Sequence, residues 1–367
     1  MSSHPTFGVE EEFLLVDPDS GEPVPFNTRV AERAKADGVD LQLELTSCQV
    51  ETATEVCGTV ADLRSQLHRL RRVAGEAAEA AGSRLLAVGL PPTLPQHFPI
   101  TDSERYRRIA DRFGMVAHEQ GICGCHVHVA VPDRDAAIRV SNRLRPWLPL
   151  LLALTANSAI YRNADSGYAS WRRVLWSRWP SAGPPPHFDS AGDYDDAVQR
   201  MKDIGVMLDD GMVYWDVRPS AKFPTVEVRV ADVPATVGET VLHAALTRAA
   251  VMTVLDEDND ERPVPDVRAH ELAAAYWNSA RYGLDGPAVD PFGSSPGTAP
   301  AIDVLRALVD RVSPALRAVG DFAFVTDELT RIYEQGNGAM RQRAAWERRG
   351  VVSDVIESSA AATGEGC

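Results

Sequence analysis

Several common features are scarce or missing in this chain, and each absence removes a class of protein. Basic excess is missing: 37 Lys and Arg stand against 52 Asp and Glu, a formal charge of −15. Nucleic acid and anionic membrane are therefore not expected as partners, since both select clustered cations. The longest apolar stretch, residues 147–156, contains Pro149 and falls well short of the ~20 residues that cross a bilayer. The opening M-S-S-H-P-T has no basic region leading into an apolar one, so a secretory signal is not expected. Cysteine is sparse and odd in number (Cys48, Cys57, Cys123, Cys125 and Cys367), which suits reduced thiols in a cytoplasmic protein. No Walker A lysine motif, no G-x-G-x-x-G after a strand and no G-x-S-x-G occurs. A phosphate site here would have to be held by metal, not by a P-loop.

What is present is enough apolar content, 44% of 367 residues, for a substantial core. Strands are expected at residues 7–16, 39–45, 50–56, 85–89, 121–131, 212–217 and 225–231, the last two paired across R-P-S-A-K-F-P. Helices are expected at about 27–37, after Thr59, at 102–119, from Asp133 toward Leu144, from Pro146 to about Tyr161, and at 194–208 and 238–255. More helices follow at 268–282, 302–312 and 321–348. Thr59 and Asp62 open the most regular helix, with Val60, Leu63, Leu67, Leu70, Ala74 and Ala77 at three- and four-residue steps. Residues 165–188, dense in Trp, Arg, Gly and Pro, read as a long binding loop. The acidic run 256–261 lacks the Gly and Glu of a calcium loop and reads as a solvated loop. Strands interleaved with helices outside a regular βαβ rhythm give an α+β class with a largely antiparallel sheet. We treat residues 1–367 as a single catalytic domain, with a helical C-terminal part at 287–355 and a frayed tail at 356–367.

Four strand-like stretches carry charged groups at two-residue spacing, and we expect them to line one polar cavity. In G-V-E-E-E-F, Glu10 and Glu12 share one face and Val9, Glu11 and Phe13 the other. Carboxylates roughly 6 to 7 Å apart repel by about 2.5 kcal/mol at an effective dielectric near 20, and a divalent cation between them reverses the sign. In G-C-H-V-H-V, His126 and His128 share a face and Cys125 lies opposite. Such a pair suits zinc in a hydrolase and equally suits one metal contact plus one phosphate contact. Glu51 sits in V-E-T-A-T, and T-V-E-V-R-V-A-D pairs Glu227 with Arg229. The carboxylate is placed to hold an ion and the guanidinium to take developing phosphoryl charge. Arg172, Arg178 and Arg218 are further candidates in loops. Trp171, Trp176 and Trp179 read as packing residues before a stacking platform.

G-V-E-E-E-F, V-E-T-A-T-E-V-C, S-E-R-Y-R, G-C-H-V-H-V, Y-W-D-V-R-P-S-A-K-F-P-T-V-E-V-R-V-A-D and A-R-Y-G-L-D-G occur in that order. Together they resemble the bacterial carboxylate-amine ligases, the type 2 glutamate-cysteine ligase family, over about residues 7–286. The resemblance implies a glutamine-synthetase-like catalytic fold with a funnel-shaped antiparallel sheet, with ATP and Mg²⁺ (or Mn²⁺) between acidic strands. It implies Glu10, Glu12, Glu51, His126 and Glu227 as metal ligands, and His128 and Arg229 as ATP phosphate contacts. It implies Arg172, in Y-A-S-W-R, near the carboxylate substrate, and we add Arg218 as a second substrate-binding candidate. Glu11 is the variable member of its strand, and Cys125 has no family role.

The function this supports is ATP-dependent amide formation through an acyl phosphate, with Arg229 and Glu227 as the catalytic pair. The substrates are L-glutamate or another carboxylate and L-cysteine or another amine, with weak glutamate-cysteine ligase activity giving γ-glutamylcysteine. A homo-oligomer is compatible with this. The alternatives are a metal-dependent amide hydrolase and a non-catalytic metabolite-binding protein on the same scaffold.

Overall fold

The computed structural model describes residues 4–95, 98–259, 267–292 and 297–366. The chain begins with β1 (Phe7–Val16), α1 (Asn27–Ala36), β2 (Gln42–Leu43) and β3 (Gln49–Ala53). α2 (Val60–Ala80) starts where its sequence says: Thr59 Oγ1 accepts the Asp62 N–H at 3.1 Å, and Leu63, Leu67, Leu70, Ala74 and Ala77 are buried along one stripe. Then come β4 (Arg84–Leu86), α3 (Glu104–Phe113), α4 (Met115–His118), β5 (Gly124–Ala130), α5 (Arg134–Leu144) and α6 (Leu148–Thr155). A small hairpin, β6 (Ile160–Tyr161) with β7 (Ala164–Asp165), precedes α7 (Trp171–Trp176) and α8 (Ala191–Ile204). β8 (Val217–Pro219) and β9 (Thr225–Asp232) complete the main sheet. After α9 (Val237–Asn259) and α10 (Ala269–Tyr282) come the paired β10 (Pro287–Val289) and β11 (Thr298–Pro300). The chain closes with α11 (Ala301–Val319), α12 (Phe322–Gln335), α13 (Gly338–Arg349) and α14 (Val352–Thr363).

The main sheet is seven-stranded in the order β2-β3-β1-β5-β9-β8, with β4 pairing the far end of β1. Every pairing in it is antiparallel, so the expected class is borne out. On one face Val9, Val127, Val129, Val226, Val228 and Val230 are buried in the largest core, with apolar residues of α2, α5, α6 and α9. Full burial of such a side chain is worth about 1.5–3 kcal/mol. The same face carries Glu11, which is completely buried against Arg71 of α2 (2.6 Å) and accepts from Thr240 Oγ1 of α9 (2.6 Å). The opposite face is left for polar groups, because side chains on a strand alternate.

Several elements differ from the expectations. The helix expected at 102–119 is broken into α3 and α4 by Gly114 (φ +54°, ψ −127°), a conformation no helix continues through. The helix expected to reach Tyr161 stops at Thr155, and the chain turns into β6. The strand expected at 212–217 is β8 at 217–219, with a 3₁₀ turn at Asp210–Met212 before it. The long loop 165–188 contains α7, capped by Ser170. Residues 256–259 continue α9, Glu257 and Asp258 being held by Arg311 and Arg139, while 260 and 261 lie outside the described residues. The tail is not frayed over 356–363: α14 docks through Ile356 (4% exposed), and Thr363 Oγ1 accepts the Ala87 N–H at 2.9 Å.

Candidate active site

Antiparallel register brings the charged positions together. Glu10 of β1 faces His126 of β5, Glu12 faces Glu51 of β3, His128 faces Glu227 of β9, and Arg218 of β8 faces Glu227 from the other side. All open into a cleft of about 640 Å³. The register of β5 on β9 shifts between Cys125 and Val127, which sets His126 in an irregularity of the ladder.

Glu10 lies between the imidazoles, 3.1 Å from His126 Nδ1 and 3.5 Å from His128 Nε2. Burial alone would push its carboxyl up, but hydrogen bonding and charge from both histidines outweigh that and hold it well below the usual range. His126 Nε2 is 3.8 Å from Glu12, whose other oxygen accepts the Gly124 N–H at 2.6 Å. His128 Nδ1 lies 3.0 Å from Thr225 Oγ1, leaving Nε2 turned toward Glu10 and Glu227. Glu227 is 2% exposed and held by Arg229 and by Arg218, whose Nε donates to it at 2.9 Å. Burial opposes its ionisation, but Arg229 and then Arg218 keep its pKa low.

Glu44, just past β2, went unnoticed in the sequence. It joins Glu12 and Glu51 in a cluster with one carboxylate oxygen from each within 4.8 Å of the others. Enclosure, and next the Glu12 charge, push Glu44 up to about 8, while burial and the charges of Glu44, Glu10 and Glu12 push Glu51 well above the carboxylate range. Its signal was the L-Q-L-E-L alternation that puts an acid on the polar side of the strand next to the one bearing Glu51. Three such donor groups exist among the described residues: Glu10 with Glu51 and His126, Glu10 with His128 and Glu227, and Glu12 with Glu44 and Glu51. Carboxylates dominate the donors, which suits a hard divalent cation such as Mg²⁺. The costly clustering of like charges fits that role, since bound cations would offset it.

Other expected residues fall elsewhere. Arg172 does not line the cleft: it is buried against Gly124 on the face of β5 that carries His126, 3.8 Å from Asp232, and its backbone N–H donates to Ser158 Oγ. A β-carbon on Gly124 would stand 2.3 Å from Arg172 Nη2, so the glycine makes room for this guanidinium. Arg178 is on the surface with Glu119. Trp176 and Trp179 pack on Tyr214 and Trp171 on Tyr168, as the packing reading expects. Cys123 and Cys125 are fully buried, and burial holds both thiols well above their usual range. Cys367 lies outside the described residues.

A second cavity of about 490 Å³ adjoins the cleft across residues 218–223. Tyr194, Val198 and Val213 give it an apolar side, and the ion pairs Arg134–Asp195 and Lys202–Asp210 a polar one. Phe223, at the junction, meets His128 edge-on at 6.1 Å.

Residues 6–358 match the model of glutamate-cysteine ligase family 2 (GCS2). A protein of Mycobacterium sp. (strain KMS), provisionally named glutamate–cysteine ligase 2-2, is 66% identical over 363 residues, covering 99% of this chain and 100% of its own. One of Nocardia farcinica (strain IFM 10152), provisionally glutamate–cysteine ligase 2-1, is 58% identical, covering 99% and 94%. Among solved structures, the glutamate–cysteine ligase of Francisella tularensis in complex with AMP superposes with a TM-score of 0.69 at 16% identity, covering 99% of this chain and 89% of that one. At that identity the likeness is one of fold.

Proposed function

The chain belongs to glutamate-cysteine ligase family 2, and from that premise we propose that it is an ATP-dependent ligase joining the γ-carboxylate of L-glutamate, or another carboxylate, to the amine of L-cysteine, or another amine. The observation that carries this reading is the convergence of five carboxylates, two imidazoles and two arginines on one face of the sheet, in a single cleft.

In the proposed sequence a carboxylate oxygen attacks the γ-phosphorus of ATP, the bond to ADP breaks, and an acyl phosphate forms. The amine then attacks the acyl carbon, the C–O bond to phosphate breaks, and the nitrogen loses its proton. Mg²⁺, held by Glu10, Glu12, Glu44, Glu51, His126 and Glu227, would supply charge neutralisation for the phosphates. Arg229, pinned by Glu227, presents a cation already in place as charge develops on the transferring group, so no reorganisation is needed at that moment. His128, oriented through Thr225, offers Nε2 as a donor to a phosphate oxygen. The cavity beyond Phe223 offers Tyr194 and Phe223 as aromatic surface for a nucleotide base, and the AMP of the Francisella protein supports nucleotide use.

Phosphate release measured with L-glutamate against a panel of amines tests the proposal. Amide product with stoichiometric phosphate is the expected result, and amide cleavage without nucleotide would favour the hydrolase.

A further inference from the structure

We propose that Arg105 and Asp209 form a clamp for the α-ammonium and α-carboxylate of the amino acid whose side-chain carboxylate is activated, so that the enzyme selects an α-amino acid donor. The inference rests on the ligase reading above and adds a subsite to it.

Most charges lining the cleft already have a task. The five glutamates belong to the metal-donor groups or stand against Arg218 and Arg229. Asp210 is taken by Lys202 at 2.8 Å, and Lys222 sits at the junction with the second cavity. Arg105 and Asp209 stand apart from both sets and line the same cleft, one from α3 and the other from the turn before β8. Arg105, in the first turn of α3, donates from Nε to Asp209 Oδ2 at 2.8 Å and from Nη2 to Oδ1 at 3.0 Å. The loop is shaped around this fork: a β-carbon on Gly211 would lie 2.8 Å from Arg105 Nη2 and 3.0 Å from Asp209 Oδ1.

The two side chains are 43% and 39% exposed. An ion pair that wet contributes little to the fold, so a ligand can open it at small cost. A zwitterion does so without stranding either charge, because its carboxylate replaces Asp209 on the guanidinium fork and its ammonium replaces Arg105 on the carboxylate. Chemistry chooses which substrate this is. The acceptor's nitrogen must lose its proton before it attacks, so an ion pair with Asp209 would not last into the reacting amine. In an amino acid donor such as glutamate, both α-groups are spectators while the γ-carboxylate reacts.

The test uses phosphate release at saturating amine with three donors: L-glutamate, glutarate (no α-ammonium) and 4-aminobutyrate (no α-carboxylate). Wild type prefers glutamate over both analogues. Arg105→Ala should raise the glutamate KM by about 10- to 100-fold, the usual cost of one charged hydrogen-bond partner. It should erase the preference over 4-aminobutyrate while keeping that over glutarate. Asp209→Asn should do the reverse, and Mg-ATP affinity by calorimetry should hold in both. This crossed pattern is one that general loosening of the wall does not produce. Wild-type turnover with glutamate and unaltered ratios in both variants overturns the clamp alone. Phosphate release by wild type with glutarate or 4-aminobutyrate but not with glutamate likewise overturns the clamp alone, and no phosphate release with any carboxylate donor overturns the ligase reading, and the clamp with it.

Discussion

Glu44→Gln is the substitution that tests the carboxylate cluster most directly. In the metal-free protein the Glu44 carboxyl is raised to about 8, above a free value near 4.5. The folded state therefore binds this proton more tightly than the unfolded chain. Its contribution to stability is fully present below pH 4.5 and is lost as pH rises toward 8, at up to about 1.4 kcal/mol per unit. Metal binding must displace the same proton, so below pH 8 each unit of acid weakens it by up to about tenfold on this account. The Gln variant loses a ligand but has no proton to release. The affinity gap between wild type and variant should therefore widen from pH 6 to pH 8, and the variant should release one proton fewer per site filled. Calorimetry with Mn²⁺ in buffers of different ionisation enthalpy counts those protons, and melting in EDTA from pH 5 to 9 reads the stability term. Equal proton release by the two proteins, or metal-free melting that is flat with pH in wild type, would refute the reasoning.

Three other outcomes follow from the geometry. Glu227→Gln should weaken metal-nucleotide binding with partial recovery at high Mn²⁺, whereas Arg229→Ala should lower turnover by roughly 10²- to 10³-fold with nucleotide affinity little changed; a metal titration of the steady-state kinetics separates them. Cys125→Ala should keep its turnover, since the thiol lies in the core behind the sheet, and a folded but inactive variant would reverse the face assignment. His243 is wholly buried with no hydrogen-bond partner among the described residues for either ring nitrogen, and burial lowers its pKa to about 3. The stability it permits above pH 6.5 is lost as pH falls toward 3, at up to about 1.4 kcal/mol per unit, so acid titration of His243→Leu should show a shallower loss than wild type.

The two-residue period of the strands was legible because alternation is a local property. Glu10 and Glu12, His126 and His128, and Glu227 and Arg229 could be assigned to one face from spacing alone. Which strands lie side by side is not local, and so Glu44 was missed. Its segment alternates like the others, but only the pairing of Gln42 with Glu51 brings it to the cluster. Arg105 and Asp209 are 104 residues apart in sequence and meet through the packing of α3 on a turn before β8, which no periodicity reports. Arg172 shows a different limit: a motif identified the residue, but its guanidinium is buried between Gly124 and Asp232 on the His126 face of the strand and does not open into the cleft. The breaks at Gly114 and after Thr155 were hidden because the flanking sequence keeps its helical character.

Glu11 explains how the acidic strand stays in register. A slip of β1 by one residue would turn Glu10 and Glu12 into the core and bring Glu11 to the cleft, exchanging two ligands for one. Three consecutive glutamates do little by themselves to prevent it, since polarity hardly distinguishes the two faces. Phe7, Val9 and Phe13, buried on the core face, oppose the slip, and from behind Arg71 and Thr240 supply the partners a fully buried carboxylate needs there. Removing one partner of such a pair costs about 3–5 kcal/mol, because the other charge is left buried and uncompensated. A residue with no part in the cleft thus helps to fix which carboxylates enter it.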